Sequence, residues 1–412
     1  MAESAAAGIA VCDQCDWVMR IPPLPRGGSA LCPRCGHQIC RNQNHSGQRT
    51  LAWTFTTLIL LFFSLPFEFI RFESRGIEHS IALLDTAGGL LTSGYSVLAL
   101  LVLLTTVLLP LFYLMALACL QLGVLLKRSF TGQHTLALWL TPIEPWMMTD
   151  VFVIGVLVSL IKIVSMAEIS LGPAFFLFVA YSLALMVTVN STDRKKLWDH
   201  FLGPPEPVAA EPGRTAAEQG IALCHACRAL FRDAGDHRCT RCGYHHPGRS
   251  IDRRQFTWAL LLTAAILYIP ANAYPIMQVV KFGESSPSTI IGGVLQLIES
   301  GSWPIALIIF LASIVIPIAK VLALGWLTWK SGGHRGSQHS ATMRLYRVTE
   351  LIGRWSMIDV FVVAVLVALI HAGELMSIYP GPAAMSFAGV VIITMVAAIT
   401  FDPRSLWRND GA

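Results

Sequence analysis

The chain has 412 residues, of which 54% are hydrophobic and 13% charged, about half the charged share of a soluble domain. With repeated apolar runs of the roughly 17–25 residues that cross a bilayer, this excludes an ordinary soluble fold. The net charge of +5 is distributed as membrane topology distributes it, and carries no nucleic-acid signal.

In chain order, Met1–Ala10 is small and uncharged apart from Glu3. It lacks the basic and hydrophobic regions of a signal peptide, so the first cysteines are expected in the cytosol. Residues 1–48 hold Cys12-x2-Cys15 and Cys32-x2-Cys35, sixteen residues apart. Residues 221–250 hold Cys224-x2-Cys227 and Cys239-x2-Cys242, eleven apart. Two such pairs can set four thiolates around a tetrahedral Zn²⁺. Each segment is too small to bury a core, and metal would replace one. With four ligands taken no position is open for water, so both zinc ions are expected to be structural. Disulfides are disfavoured in the cytosol, and a thioredoxin-type pair needs a βαβ context that is missing. His225, His237, His245 and His246 read as surface residues, and Cys40 and Cys119 as ordinary small residues.

Each cysteine segment precedes a block of four expected spans. In residues 49–202 these lie near 51–70, 97–126, 149–166 and 173–189. In residues 251–408 they lie near 258–277, 303–328, 358–372 and 382–400. The blocks are copies. Trp146-Met147-Met148-Thr149-Asp150-Val151-Phe152-Val153 returns as Trp355-Ser356-Met357-Ile358-Asp359-Val360-Phe361-Val362, 209 residues later. The same offset carries Gly172-Pro173-Ala174 onto Gly381-Pro382-Ala383, and Pro110 answers to Pro317. An even span number makes the repeat parallel. The Pro- and Ala-rich segment 203–220 reads as a flexible tether. Segments 1–50, 127–145, 191–257, 329–354 and 402–412 carry 25 of the 30 Lys and Arg residues, which places both cysteine modules and both termini in the cytosol. The fold expected is therefore an all-α polytopic membrane protein of two four-helix units, each preceded by a small zinc ribbon.

Polar groups inside spans need a partner or a function, since a charge at the bilayer centre costs about 2.5–3.5 kcal/mol on insertion scales. Lys320 is the clearest case, and Ser313, Pro317 and Lys320 share one helix face by spacing. The first unit has Tyr113 at the matching place. Asp359 and Asp150 begin the third spans. Asp359 can pair with Lys320, or each Asp can cap its helix, where the dipole favours an anion. Asn272, beside Pro270, and Ser356 complete the candidate intramembrane set. Lys162 and His371, followed by Glu168 and Glu374, are explained by snorkelling to the far interface. No phosphate loop, nucleophile elbow or open metal site is present, so no enzyme is expected.

The two Cys-x2-Cys modules, the Gly353-Arg354-Trp355-Ser356-Met357-Ile358-Asp359-Val360-Phe361 stretch, and the Pro270-Ala271-Asn272 and Pro317-Ile318-Ala319-Lys320 segments together resemble the paraquat-inducible protein A family. The likeness runs from about Cys12 to Trp407. It implies a multi-pass bacterial inner-membrane protein that works with a periplasm-spanning MCE-domain partner to load or unload lipid, with the eight module cysteines as metal ligands. The first unit departs from it, reading Glu144-Pro145-Trp146-Met147. A non-transporting anchor or assembly factor for that partner is the alternative.

Overall fold

The computed structural model describes residues 8–407 apart from 26, 43–45, 75–76, 93, 129–131, 164–167, 234, 247–250, 282–283, 300, 302, 332–338 and 371–375. Each metal module is built of hairpins. The first has β1 (Gly8–Val11) with β2 (Val18–Ile21), and β3 (Ser29–Leu31) with β4 (Gln38–Arg41).

The first membrane unit opens with α1 (Ser46–Ser64), then β5 (Glu68–Ser74), β6 (Ile77–Ala82) and the short α2 (Asp85–Thr92). Next come α3 (Ser96–Leu103), a π-helical turn Leu104–Leu108, and α4 (Leu109–Leu126), which form one continuous rod. Helix α5 (Gln133–Ile143) leads through a 3₁₀ turn, Glu144–Trp146, into α6 (Thr149–Ile163). The unit closes with β7 (Glu168–Leu171), α7 (Pro173–Ser191) and α8 (Arg194–Leu202).

The second half repeats this order. Its module pairs β8 (Ile221–Leu223) with β9 (Leu230–Arg232). Its unit runs α9 (Ile251–Ala273), β10 (Met277–Lys281), β11 (Glu284–Ser288), α10 (Ile290–Glu299), α11 (Trp303–Phe310), a π turn Leu311–Val315 and α12 (Ile316–Lys330). Then follow α13 (His339–Trp355), α14 (Ile358–Ile370), β12 (Met376–Pro380), α15 (Pro382–Thr400) and a closing 3₁₀ turn Pro403–Trp407. Pro110 and Pro317 each sit just after a π turn, where their missing N–H leaves the ladder open.

Among the described residues, seven helical segments are long and apolar enough to cross a membrane. The first expected span, 51–70, is not one of them. It ends as a helix at Ser64, and residues 68–70 enter β5. Its 19-residue helix opens on the polar turn Ser46-Gly47-Gln48-Arg49, and it turns threonines toward α7. Thr57 and Thr188 hydroxyls lie 3.0 Å apart, and Thr50 donates to the Ser191 carbonyl at 2.9 Å.

At the end away from the modules, each unit carries a three-stranded antiparallel sheet, β6-β5-β7 and β11-β10-β12. The all-α fold expected from the sequence had no place for these strands. Each sheet joins the strand after the first helix to the strand before the last one, pairing Phe72 with Ile169 and Val279 with Ile378. The repeated Gly-Pro is the exit from this sheet. Gly172 N–H donates to the Phe69 carbonyl at 3.2 Å, and Gly381 N–H to the Ile276 carbonyl at 2.7 Å. A Cβ at either glycine would collide with a backbone carbonyl, that of Glu68 or of Pro275.

The units meet along α6 and α14. Helix α14 is buried almost throughout, and α2 of the first unit also lies on it, with Gly89 against Ala368. The counterpart of α2, helix α10, instead leaves Ile291, Leu295 and Ile298 exposed. Segment 203–220, expected as a flexible tether, is a strap bound to the first module. Gly213 N–H donates to the Val18 carbonyl, Val18 N–H to the Arg214 carbonyl, and Ala217 N–H to the Asp16 carboxylate. Its proline and alanine content suits an extended strap whose hydrogen bonds are made by neighbouring residues.

Candidate functional site

Metal centres. Each cysteine quartet converges, with its four sulfurs within 4.8 Å of one another. In the first, Cys12 and Cys35 Sγ lie 3.5 Å apart, and Cys15 and Cys32 Sγ 3.6 Å. In the second, Cys224 and Cys242 are 3.5 Å apart, and Cys227 and Cys239 3.7 Å. Four thiolates at about 2.3 Å from one tetrahedral ion leave sulfurs roughly 3.8 Å apart, so these residues fit such an ion.

The local fold explains the convergence, and all four Cys-x2-Cys knuckles share one form. The N–H of the first cysteine donates to a carbonyl five residues on: Cys12 to Trp17, Cys32 to His37, Cys224 to Ala229, Cys239 to Tyr244. The residue after the second cysteine is left-handed in every case: Asp16 (φ 59°), Gly36 (70°), Arg228 (56°) and Gly243 (64°). Gly meets that requirement without strain. Asp16 and Arg228 meet it while using their charge elsewhere. His225, His237, His245 and His246 stay outside the quartet; His237 holds Asp233 at 2.9 Å.

The modules touch each other and the base of both membrane units. Asp13 receives the Arg228 guanidinium at 2.9 Å and His37 Nε2 at 3.1 Å. Burial raises the Asp13 carboxyl, but the His37 hydrogen bond and the Arg228 charge outweigh it and hold the group well below the usual carboxylate range. Arg404, 8% exposed, reaches three groups at once. It donates to the Asp13 carbonyl at 3.1 Å, faces Asp16 at 3.6 Å, and donates to His225 Nε2 at 3.2 Å.

Intramembrane polar set. Ser313, Pro317 and Lys320 are all buried, so the shared face points inward. Lys320 is 3% exposed, and its ammonium donates to the Gly353 carbonyl at 3.2 Å. Ser356 Oγ donates to the same carbonyl at 2.9 Å. Gly353 ends α13 close to the joint with α14, and a Cβ there would stand 3.3 Å from Lys320 Cε. Asn272 bonds within its own helix, Nδ2 to the Tyr268 carbonyl at 2.9 Å, while Tyr268 Oη reaches the Ile314 carbonyl in the π turn at 3.4 Å. Asp150 and Asp359 both stand in the first turn of their helices, α6 and α14. Asp359 also borders a pocket of about 10 Å³, room for roughly one water, between the units; Leu90, Leu98, Ile276 and Phe387 line it. His371 and Glu374 lie outside the described residues, as do the side chains of Lys162 and Glu168.

The two halves differ at this joint. In the first unit the Thr105 carbonyl, in the π turn, accepts the Met148 N–H at 3.3 Å, and Glu144 pairs with Arg194. Tyr113 fills the place of Lys320 and is buried.

Sequence reasoning quoted Gly353 only within a motif and passed over Arg347 and Arg404. A signal was available for Arg347, whose counterpart at the 209-residue offset is Leu138, whereas Arg404 answers to another base, Lys195.

The chain is similar to Intermembrane transport protein PqiA of Escherichia coli (strain K12), at 40% identity over 98% of this chain and 96% of that protein. It is 30% identical to Lipophilic envelope-spanning tunnel protein A of the same organism, over 96% of this chain and 90% of the relative. A Probable intermembrane transport protein of Haemophilus influenzae is 28% identical over 96% of this chain and 95% of its own length. No solved structure matches. The family described as Paraquat-inducible protein A matches twice, over residues 47–202 and 255–410. With both halves matched and relatives aligned along nearly the whole length, the chain belongs to the paraquat-inducible protein A family.

Proposed function

We propose that this chain is the inner-membrane subunit of an intermembrane lipid transport system, loading or unloading lipid for a periplasm-spanning MCE-domain partner. Both cysteine modules and both termini lie in the cytosol, and the two sheets face the periplasm. Zn²⁺ occupies the two cysteine quartets and holds each module folded, with no catalytic part. The domains follow as modules 1–48 and 221–250, membrane units 49–202 and 251–408, and the strap 203–220 between them.

The observation that carries this reading is the Lys320 amine, buried beside the joint of α13 and α14 in one half of a duplicated fold. A cation kept there against the cost of burial, in a chain whose relatives are named Intermembrane transport protein PqiA and Lipophilic envelope-spanning tunnel protein A, supports a place where cargo or protons engage. Ser313, Ser356, Asp359 and Asn272 belong to the same half. Asp150, their first-unit counterpart to Asp359, serves as a helix-start anion.

The test is Lys320→Ala in cells whose envelope integrity depends on this protein. Loss of function at normal protein level supports the reading; full function removes Lys320 from the mechanism. A second reading, a non-transporting anchor for the MCE partner, is favoured by the pocket beside Asp359, which holds about one water rather than a lipid tail. Lipid that co-purifies with the chain and is displaced by Lys320→Ala favours transport over anchoring.

A further inference from the structure

The modules dock crosswise. The first module stands before the first membrane unit in the chain but packs on the second. Cys12, Cys15, Met19 and Cys32 share one apolar cluster with Leu324, Leu327, Met343, Tyr346, Phe401 and Trp407. Arg347, on α13, donates to Gln14 Oε1 at 2.8 Å and to the Cys35 carbonyl at 2.9 Å. Arg404 adds its bonds to Asp13 and Asp16. In return, Arg34 stacks between Trp17 and Trp407, its guanidinium 4.8 and 4.5 Å from the two rings. The second module packs on the first unit, with Arg241 donating to Asp199 of α8 at 2.7 Å and to the Gly203 carbonyl.

We propose that the first module is a positioning element for the second membrane unit, and that Arg347 and Arg404 are the positioning residues that carry its hold. The argument follows one helix. Arg347 binds the backbone of a metal-ligating residue, Cys35. Six residues further along α13, the Gly353 carbonyl accepts both Lys320 and Ser356. A helix is stiff over that length, 1.5 Å per residue with every turn bonded, so the metal knuckle that fixes Arg347 also sets where Gly353 meets Lys320. In the first unit Leu138 stands where Arg347 would be, and the second module holds α8 there instead, through Arg241 and Asp199. This rests on the reading that the quartets bind metal, but it concerns a separate link, from module to helix.

The experiment is amide hydrogen exchange on the full-length protein in lipid nanodiscs, with metal content measured in parallel. The Arg347→Ala, Arg404→Ala double variant leaves all eight cysteines in place. It is expected to keep two metal ions per chain and to raise exchange at least about tenfold in His339–Trp355 and Pro403–Trp407, with Arg194–Leu202 unchanged. The Cys12→Ser, Cys15→Ser variant is expected to lose one ion and loosen the same two segments. Cys224→Ser, Cys227→Ser is expected to loosen Arg194–Leu202 instead. Unchanged α13 exchange in the arginine variant overturns the proposal, as does loosening of α8 rather than α13 on loss of the first metal. Should the first cysteine variant fail to accumulate, the arginine variant decides alone. Wild-type protein without bound metal would sink the metal reading but leave the arginine result to judge the link.

Discussion

Phe152 and Phe361 are the same residue of the repeat, and they meet: their rings pack edge to face with centroids 5.4 Å apart and planes at 82°. A repeat element touching its own counterpart marks the axis that relates the two units. Gly155 makes the approach possible, since a Cβ there would stand 2.9 Å from Phe361 Cβ. Ser159 Oγ then reaches across to the Val362 carbonyl at 3.4 Å.

Because both rings are fully buried, truncating either should be costly. Phe361→Ala and Phe152→Ala are each expected to destabilise the protein by about 3–5 kcal/mol. The double variant should lose less than the sum, since each ring is the other's neighbour. Denaturant titration in mild detergent reads all three, and strict additivity would mean that the rings do not support each other.

The Gly-Pro exits make a sharper steric claim. Gly172 has ordinary extended angles (φ −74°, ψ 166°), so its requirement is space, not conformation. Gly172→Ala and Gly381→Ala should each push a strand off its neighbour, at about 1–3 kcal/mol or more for an overpacked site. Both should lower the amount of folded protein in the membrane. Normal yield and unfolding midpoint for Gly381→Ala would contradict the close approach.

The knuckle glycines test the opposite case. Gly36 and Gly243 have φ of 70° and 64° with open space around the absent Cβ, so alanine there adds only backbone strain. About 1 kcal/mol is expected at the affected site, which is roughly fivefold in metal affinity. Competition against a graded chelator measures it. The strain should appear as faster metal loss from the substituted module while the other is unaffected.

Replacing Lys320 by the first unit's residue separates charge from packing. Lys320→Tyr restores the side chain that fills this place in the other half, and the protein should accumulate. Lipid transport, measured as transfer between donor and acceptor vesicles or as rescue of envelope integrity, should fall at least about tenfold. A fully active Lys320→Tyr protein would show that the ammonium is dispensable.

Much of this architecture can be read from the chain, and the limits are physical. The repeat is visible because Trp, Asp and Gly-Pro recur at one offset, and the metal modules because thiolate chemistry fixes their spacing. The sheets away from the modules were not visible, because each pairs strands about a hundred residues apart, β5 with β7 and β10 with β12, and such pairing leaves no local pattern. Nor was the amphipathic α13, whose exposed Val348 and Leu351 and buried Met343 and Tyr346 divide its surface in a pattern set by the module beneath it. The strap 203–220 was misread because composition reports what a segment bonds within itself, whereas its partners, Asp16 and Val18, lie two hundred residues upstream. For Lys320 the residue was legible and its acceptor was not, since a backbone carbonyl has no signature in a sequence.

The cross-docked modules also impose an order on biosynthesis. Cys35 and Arg347 are separated by 312 residues, which at about 5–20 residues per second of translation is roughly 15–60 s. During that interval the first module has only its metal site and, once made, the strap at 213–217 to hold it, with the side that meets α13 uncovered. A later segment, carrying Arg404 and Trp407, closes the structure by capturing a module made earlier. Metal shortage early in synthesis would therefore become visible only after Arg404 and Trp407 have been made.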